Sequence, residues 1–146
     1  MTGESPQLLT SVTMVKGIGI DIICIEKIRS LWENHRHRLQ GVVFTEKELE
    51  AVGEGSPTQA ETLPYRQALL LATTFAAKEA TVKALGLPYS TRYELADIEV
   101  CRSDHQVIHL SPSLAALART KGIDRLTCSI AAAGQYASAV VIGESL

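Results

Sequence analysis

Between Val15 and Ile20 the side chains alternate, with Lys16, Ile18 and Ile20 on one side and Gly17 and Gly19 on the other. A period of two predicts a β-strand, and glycines along one face let another group approach its backbone closely. Asp21 falls on the glycine side, at the predicted end of that strand. The period then changes: Ile25, Ile28, Leu31 and Trp32 recur at helical spacing. A second, short helix is predicted from Thr45, because Thr45 and Glu48 form the T-x-x-E pattern of a capping box. Gly53 to Leu63, with Gly53, Gly55, Ser56 and Pro57, reads as a surface loop.

The strongest element is a helix from about Pro64 to Leu85, opened by a proline suited to a first turn and stopped by Gly86 and Pro88. Leu95 to Cys101 and Gln106 to Leu110 are strand-like around Ser103-Asp104-His105, which predicts a hairpin. Ser111-Pro112 reads as N-cap and first residue of another helix, ended by Lys121-Gly122. Arg125 to Ile130 and Tyr136 to Ile142 are two further strands around a loop holding Gly134. This order, with its hairpins, favours an α+β fold over a doubly wound parallel sheet.

At 146 residues and 15.8 kDa the chain makes one ordinary domain. Residues 1–13 read as a flexible N-terminal extension, Met14 as an alternative start, and 14–146 as the single domain. Sixteen acidic against fourteen basic residues give a net charge of -2, without the basic excess of a general nucleic-acid binder. The longest apolar or threonine-containing run, Ala68 to Ala77, has ten residues, whereas crossing a bilayer takes roughly 20. A membrane-spanning protein is therefore not expected. Cys24, Cys101 and Cys128 form no C-x-x-C pair and sit among apolar neighbours, so they read as small core residues. A reducing, cytoplasmic setting follows.

Two places could carry chemistry. Glu79 and Lys83 are four apart on one helix face, which fits either a surface ion pair or a shared cleft lined by the alanines at 76, 77, 80 and 84. Asp21 fits either a solvated strand end, an N-cap, or a partner for Glu79. In the last case two carboxylates from different elements, with a lysine one turn away, suit magnesium and a phosphate ester. Magnesium takes one or two protein carboxylates and completes its octahedron with water and phosphate oxygens, and lysine neutralises phosphate as a point cation. Other motifs point elsewhere or nowhere. Gly17-Ile18-Gly19 lacks the continuation of a dinucleotide or P-loop motif. His35-Arg36-His37 reads as solvent-exposed, His105 and His109 have no carboxylate at a telling spacing, and no G-x-S-x-G occurs.

These residues together resemble a family. Met14-Val15-Lys16-Gly17-Ile18-Gly19-Ile20-Asp21-Ile22-Ile23, followed by Ile25-Glu26-Lys27-Ile28, is similar to the opening of holo-[acyl-carrier-protein] synthases. Phe44 to Leu49 resembles their second signature, and Phe75-Ala76-Ala77-Lys78-Glu79-Ala80 with Lys83-Ala84-Leu85-Gly86 their third. Asp97 to Val100 and Tyr136 to Ala139 fit the later strands, so the resemblance spans Met14 to Glu144. It implies a 4'-phosphopantetheinyl transferase-like α+β fold, an antiparallel-rich sheet packed with a long central helix. The implied reaction moves the 4'-phosphopantetheine arm of coenzyme A to a serine of an apo acyl carrier protein and releases adenosine 3',5'-bisphosphate, a step in fatty acid and lipid biosynthesis. The resemblance further implies catalytic roles for Asp21, Glu79 and Lys83, magnesium (Mg2+) on Asp21 and Glu79, coenzyme A against Lys83 and Gly86, and a homotrimer with clefts between chains.

The chain departs from the family at four places. Thr73-Thr74 stands where a basic residue is usual, Gly86-Leu87-Pro88-Tyr89 where the turn is glycine-rich, Ala131-Ala132 where a Ser-His pair is usual, and Cys24 where a glutamate is common. Two functions follow: an active transferase, or a non-catalytic relative that binds coenzyme A or a carrier protein without transfer. Since carrier proteins are generally acidic, the docking surface is expected among Lys27, Arg29, Arg36 and Arg38. The nearly uncharged strand from Gly134 to Ile142 is expected to be buried in a symmetric trimer.

Overall fold

A computed structural model describes residues 12–53, 62–102 and 107–146. In chain order the elements are β1 (Met14–Cys24), α1 (Ile25–Leu39), α2 (Glu46–Val52), α3 (Tyr65–Leu85), β2 (Ile98–Cys101), β3 (Val107–Leu110), α4 (Pro112–Thr120), β4 (Arg125–Ala133) and β5 (Tyr136–Ser145). The strands form an antiparallel three-stranded sheet in the order β1-β5-β4 and a separate β2-β3 pair. The fold is α+β, as the order of elements predicts. Most of the extension, the loop between Gly53 and Leu63, and the Ser103-Asp104-His105 turn lie outside the described residues.

The long helix α3 is the axis of the molecule. Small side chains let it be enclosed: Ala68, Ala72, Ala76, Ala77 and Ala80 have no accessible surface. β1 lies directly on it. A Cβ at Gly19 would fall 1.8 Å from the Ala80 carbonyl oxygen, and one at Gly17 would fall 2.0 Å from that of Ala84. Only glycine allows strand and helix backbones this close. From β5, Ala137, Ala139 and Val141 complete the layer against α3. α1 covers the N-terminal half of α3 through Ile25, Ile28 and Trp32, and the Trp32 ring meets Phe44 edge-on at 6.0 Å. The capping box of α2 forms as expected, with Glu48 N donating to Thr45 Oγ1 and Thr45 N to Glu48 Oε2.

Three local readings are corrected. β1 runs on to Cys24, so Asp21 lies inside the strand, paired with Ala139 of β5, and not at its end. Leu95–Asp97 is a 3-10 turn before β2, held by the Glu94 amide donating to the Asp97 carboxylate at 2.9 Å. β5 is the central strand, and α3 covers one of its faces, which accounts for much of its apolar composition. Its other face continues an exposed apolar surface formed by Ile18, Ile20 and Ile22 of β1, which are 59%, 59% and 66% accessible. The cysteines are free thiols and half-buried, less enclosed than core residues; burial pushes the Cys128 thiol up to about 11.

Candidate active site

The close seat of β1 on α3 determines where Asp21 goes. It lies two residues beyond Gly19 on the same strand face, and Lys83 reaches it there. Lys83 Nζ donates to Asp21 Oδ1 and to the Ile20 carbonyl, both at 2.8 Å. The lysine therefore pairs across elements, and not with Glu79 on its own helix. Glu79 is half-buried beside them. Burial first, and the Asp21 charge second, hold its carboxyl above the usual range, partly offset by Lys83. The exposed Tyr93 phenol feels the same charge: burial first, and Glu79 second, hold it above its ordinary value.

Asp21, Glu79 and Lys83, expected as a set, are thus brought together. Gly86 sits one turn beyond Lys83, with φ 56° at the left-handed end of α3, and its carbonyl accepts from Lys121 Nζ at 2.6 Å. The donor set fits magnesium: two carboxylates from different elements, one of them with its proton affinity raised by the other, and a lysine to share the charge. Among the described residues no group of three or more metal-ligating side chains occurs, so oxygens of substrate and water would complete the shell.

Behind Glu79 lies a buried ion pair that sequence reasoning passed over. Lys78 has no accessible surface. Its Nζ donates to Glu48 Oε2 at 2.7 Å and to the carbonyls of Val43, Leu95 and Ile98 at 2.7, 3.0 and 2.7 Å. Glu48 Oε1 accepts from the Val100 amide at 2.7 Å. One ammonium thus ties α2 and the approach to β2 onto α3, one residue from Glu79. Desolvation lowers the Lys78 proton affinity, and Glu48 opposes that shift.

The four departures have distinct surroundings. Cys24 precedes α1 without capping it through its side chain, Leu87 packs against the core, and Ala132 is exposed on β4. Thr73 and Thr74 are buried and accept hydrogen bonds from Arg102. Among the expected docking cations, Lys27 and Arg38 are exposed. Arg29 is instead half-buried and paired with Glu26 at 3.3 Å, and its Nε is buried without a hydrogen-bond partner among the described residues. α1 breaks its helical geometry at His35, so Arg36 and Arg38 lie beyond a kink.

A family model, the 4'-phosphopantetheinyl transferase superfamily, matches residues 17–141. The chain belongs to this superfamily. Its relatives include the holo-[acyl-carrier-protein] synthase of Geobacillus kaustophilus, 39% identical over 133 residues, covering 91% of this chain and 92% of the relative. That of Chlamydia trachomatis serovar D is 36% identical over 128 residues, covering 88% and 98%. Among solved structures of the superfamily, the Neisseria meningitidis synthase superposes with a TM-score of 0.73 at 26% identity, covering 90% of this chain and all of that one. The Bacillus anthracis synthase, in complex with CoA (3',5'-ADP), gives 0.64 at 28% identity, covering 91% and 99%. The segments Met14 to Ile23, Phe44 to Leu49 and Phe75 to Gly86 converge on the Asp21–Glu79–Lys83 side of α3 or on the Lys78–Glu48 pair behind it.

Proposed function

We propose that the chain is a magnesium-dependent holo-[acyl-carrier-protein] synthase, moving the 4'-phosphopantetheine arm from coenzyme A to a serine of an apo acyl carrier protein. The observation that carries this reading is the meeting of Asp21, Glu79 and Lys83 from two elements whose backbones touch. In the reaction the serine oxygen forms a bond to the phosphorus that bears pantetheine, and the bond from that phosphorus to the bridging oxygen breaks. Adenosine 3',5'-bisphosphate leaves with the bond's electron pair. Phosphoryl transfer of this kind depends on positioning and charge neutralisation. In this reading Lys83, at the Asp21 side of α3, meets pyrophosphate charge, and Gly86, at the left-handed end of α3, lies against the coenzyme. The serine proton needs a base beside the reacting phosphorus, and Glu79, half-buried with Lys83 committed to Asp21, is the group assigned to take it in this reading. Magnesium on Asp21 and Glu79 would supply Lewis-acid stabilisation of phosphate oxygens.

Residues 14–146 act as one transferase domain in this reading, and 1–13 as an extension. The exposed isoleucines of β1, with Val140 of β5 beside Ile20, support assembly of copies through the sheet face, as a homotrimer. No helix among the described residues is long and apolar enough to cross a membrane. A reducing cytoplasm suits the three free thiols. The test is the intact mass of an apo carrier protein after incubation with the chain, coenzyme A and magnesium. A gain of the phosphopantetheine mass is expected; an unchanged mass alongside measurable coenzyme A binding would make the chain a non-catalytic relative.

A further inference from the structure

Three consecutive residues of α3 leave the helix on three sides, since each is turned about 100° from the last. Ala80 backs onto β1 at the Gly19 seat, and Glu79 lies beside Asp21 and Lys83. Lys78, on the other flank, is fully enclosed. An ammonium has three protons, and this one meets four acceptors: the Glu48 carboxylate and the carbonyls of Val43, Leu95 and Ile98. No proton is left over for Glu79. Val43 lies in the connection between α1 and α2, Leu95 in the 3-10 turn, and Ile98 at the start of β2. The Ala96 amide also donates to Val42 O at 3.0 Å, so these stretches are joined to each other and to α3 around one nitrogen. Tyr93 leads into the turn, close enough to Glu79 to feel its charge. Glu79 thus stands between β1, seated on α3 by backbone contact, and the 93–98 segment, fastened to α3 by Lys78.

We infer that Lys78 is a positioning residue for transfer: its ammonium fastens the 93–98 segment to α3 and thereby sets the surroundings of Glu79. This rests on the transferase reading above. Stability alone does not call for an ammonium here. Desolvation offsets the attraction within a buried ion pair, and a well-packed apolar pair is often as stable. What an apolar side chain cannot do is donate to three carbonyls at once. Nor does Lys78 act as a charge on Glu79, whose carboxyl responds to Asp21 and Lys83. The role left is mechanical. One flank of the Glu79 turn is held by β1 and the other by this ammonium. Without the ammonium the segment can drift from α3, and Glu79 loses part of the enclosure that aligns it.

The test separates the countercharge from the donors in the full chain, using Glu48→Gln, Lys78→Met and the two combined. Transfer is measured well below each Tm, and amide hydrogen exchange of residues 93–98 is followed by mass spectrometry without substrates. Glu48→Gln keeps the donors: its Tm should fall, while exchange and kcat stay within about threefold of wild type. The double variant restores neutrality and loses the donors. Its Tm should exceed that of Lys78→Met, yet its Ala96 amide should exchange at least about tenfold faster than in wild type. Its kcat should fall roughly 100-fold, with the KM for coenzyme A within about threefold, since Lys83 and Gly86 lie on α3 or at its end. A kcat that follows Tm across the variants, wild-type exchange in the double variant, or fast exchange with wild-type kcat would each overturn the assignment. One check needs no variant: the wild-type Ala96 amide should be protected, and an unprotected one would refute the anchor. Wild type that modifies no carrier protein counts against the transferase reading, and the exchange results alone then decide whether Lys78 anchors the segment.

Discussion

Gly19→Ala places a methyl group where the backbone of α3 already is. Its carbon would lie 1.8 Å from the Ala80 oxygen and 2.6 Å from the Ala84 nitrogen, and both are main-chain atoms that cannot rotate away. β1 must lift off α3 by roughly 1 Å or more, at a cost near the upper end of the overpacking range, about 3 kcal/mol. For a chain of this size each kcal/mol lowers Tm by roughly 2–4 °C, so a fall of about 6–12 °C is expected. The same displacement carries Asp21 away from Lys83, whose contact with it is 2.8 Å. A shift of about 1 Å in a positioned group can cost roughly 100-fold in rate, so transfer should fall by about that factor even below Tm. Gly143→Ala is the control: its Cβ would meet the Ile123 side chain at 3.1–3.3 Å, and a side chain can adjust. Thermal unfolding by circular dichroism and initial rates of carrier modification measure both effects. Gly19→Ala with wild-type Tm and rate would refute the argument that this backbone contact sets the site.

Lys78→Met should destabilise by about 3–5 kcal/mol, because it leaves the Glu48 charge buried and unpaired, and Lys78→Met with Glu48→Gln should recover part of that in urea titrations. Glu79→Gln should abolish transfer while raising stability at neutral pH. The native carboxyl holds its proton more tightly than the unfolded one, whose pKa is near the ordinary 4.5, so ionisation costs stability as pH rises above that value. The Tm advantage of the variant should therefore vanish below pH 4.5, and an advantage largest in acid would be the wrong sign. Lys27→Glu should raise the KM for the carrier protein and flatten its salt dependence with little change for coenzyme A, whereas Arg29→Glu, which breaks a half-buried pair with Glu26, should chiefly lower Tm.

What the sequence made legible follows local periodicity. Gly17 and Gly19 on one strand face announced a close neighbour, and the alanine-rich segment up to Gly86 announced the helix that fills that place. Glu79 and Lys83 could be put on one face by spacing, but Lys83's partner comes from a strand some 60 positions earlier, and no local pattern reports it. The Lys78–Glu48 pair was hidden for the same reason, since Glu48 had a complete local explanation as a capping-box residue. One signal was available: a helix enclosed nearly all round must bury any lysine one position from its open side. Leu95–Asp97 read as strand because apolar residues alternate there, yet the Glu94–Asp97 cap and Lys78's hold on the Leu95 carbonyl curl it into a turn. Arg29 looked free because charges on helices usually are; its burial comes from tertiary packing.

The central claim is that Asp21, Glu79 and Lys83 form one transfer site that works with magnesium. The direct measurement is the intact mass of apo carrier protein incubated with coenzyme A and either wild type, wild type with EDTA, or Asp21→Asn, each chain first shown to be folded. Full conversion to the phosphopantetheinylated mass is expected with wild type and magnesium, and none in the other two reactions. Conversion by Asp21→Asn at the wild-type rate, or in EDTA, would contradict it.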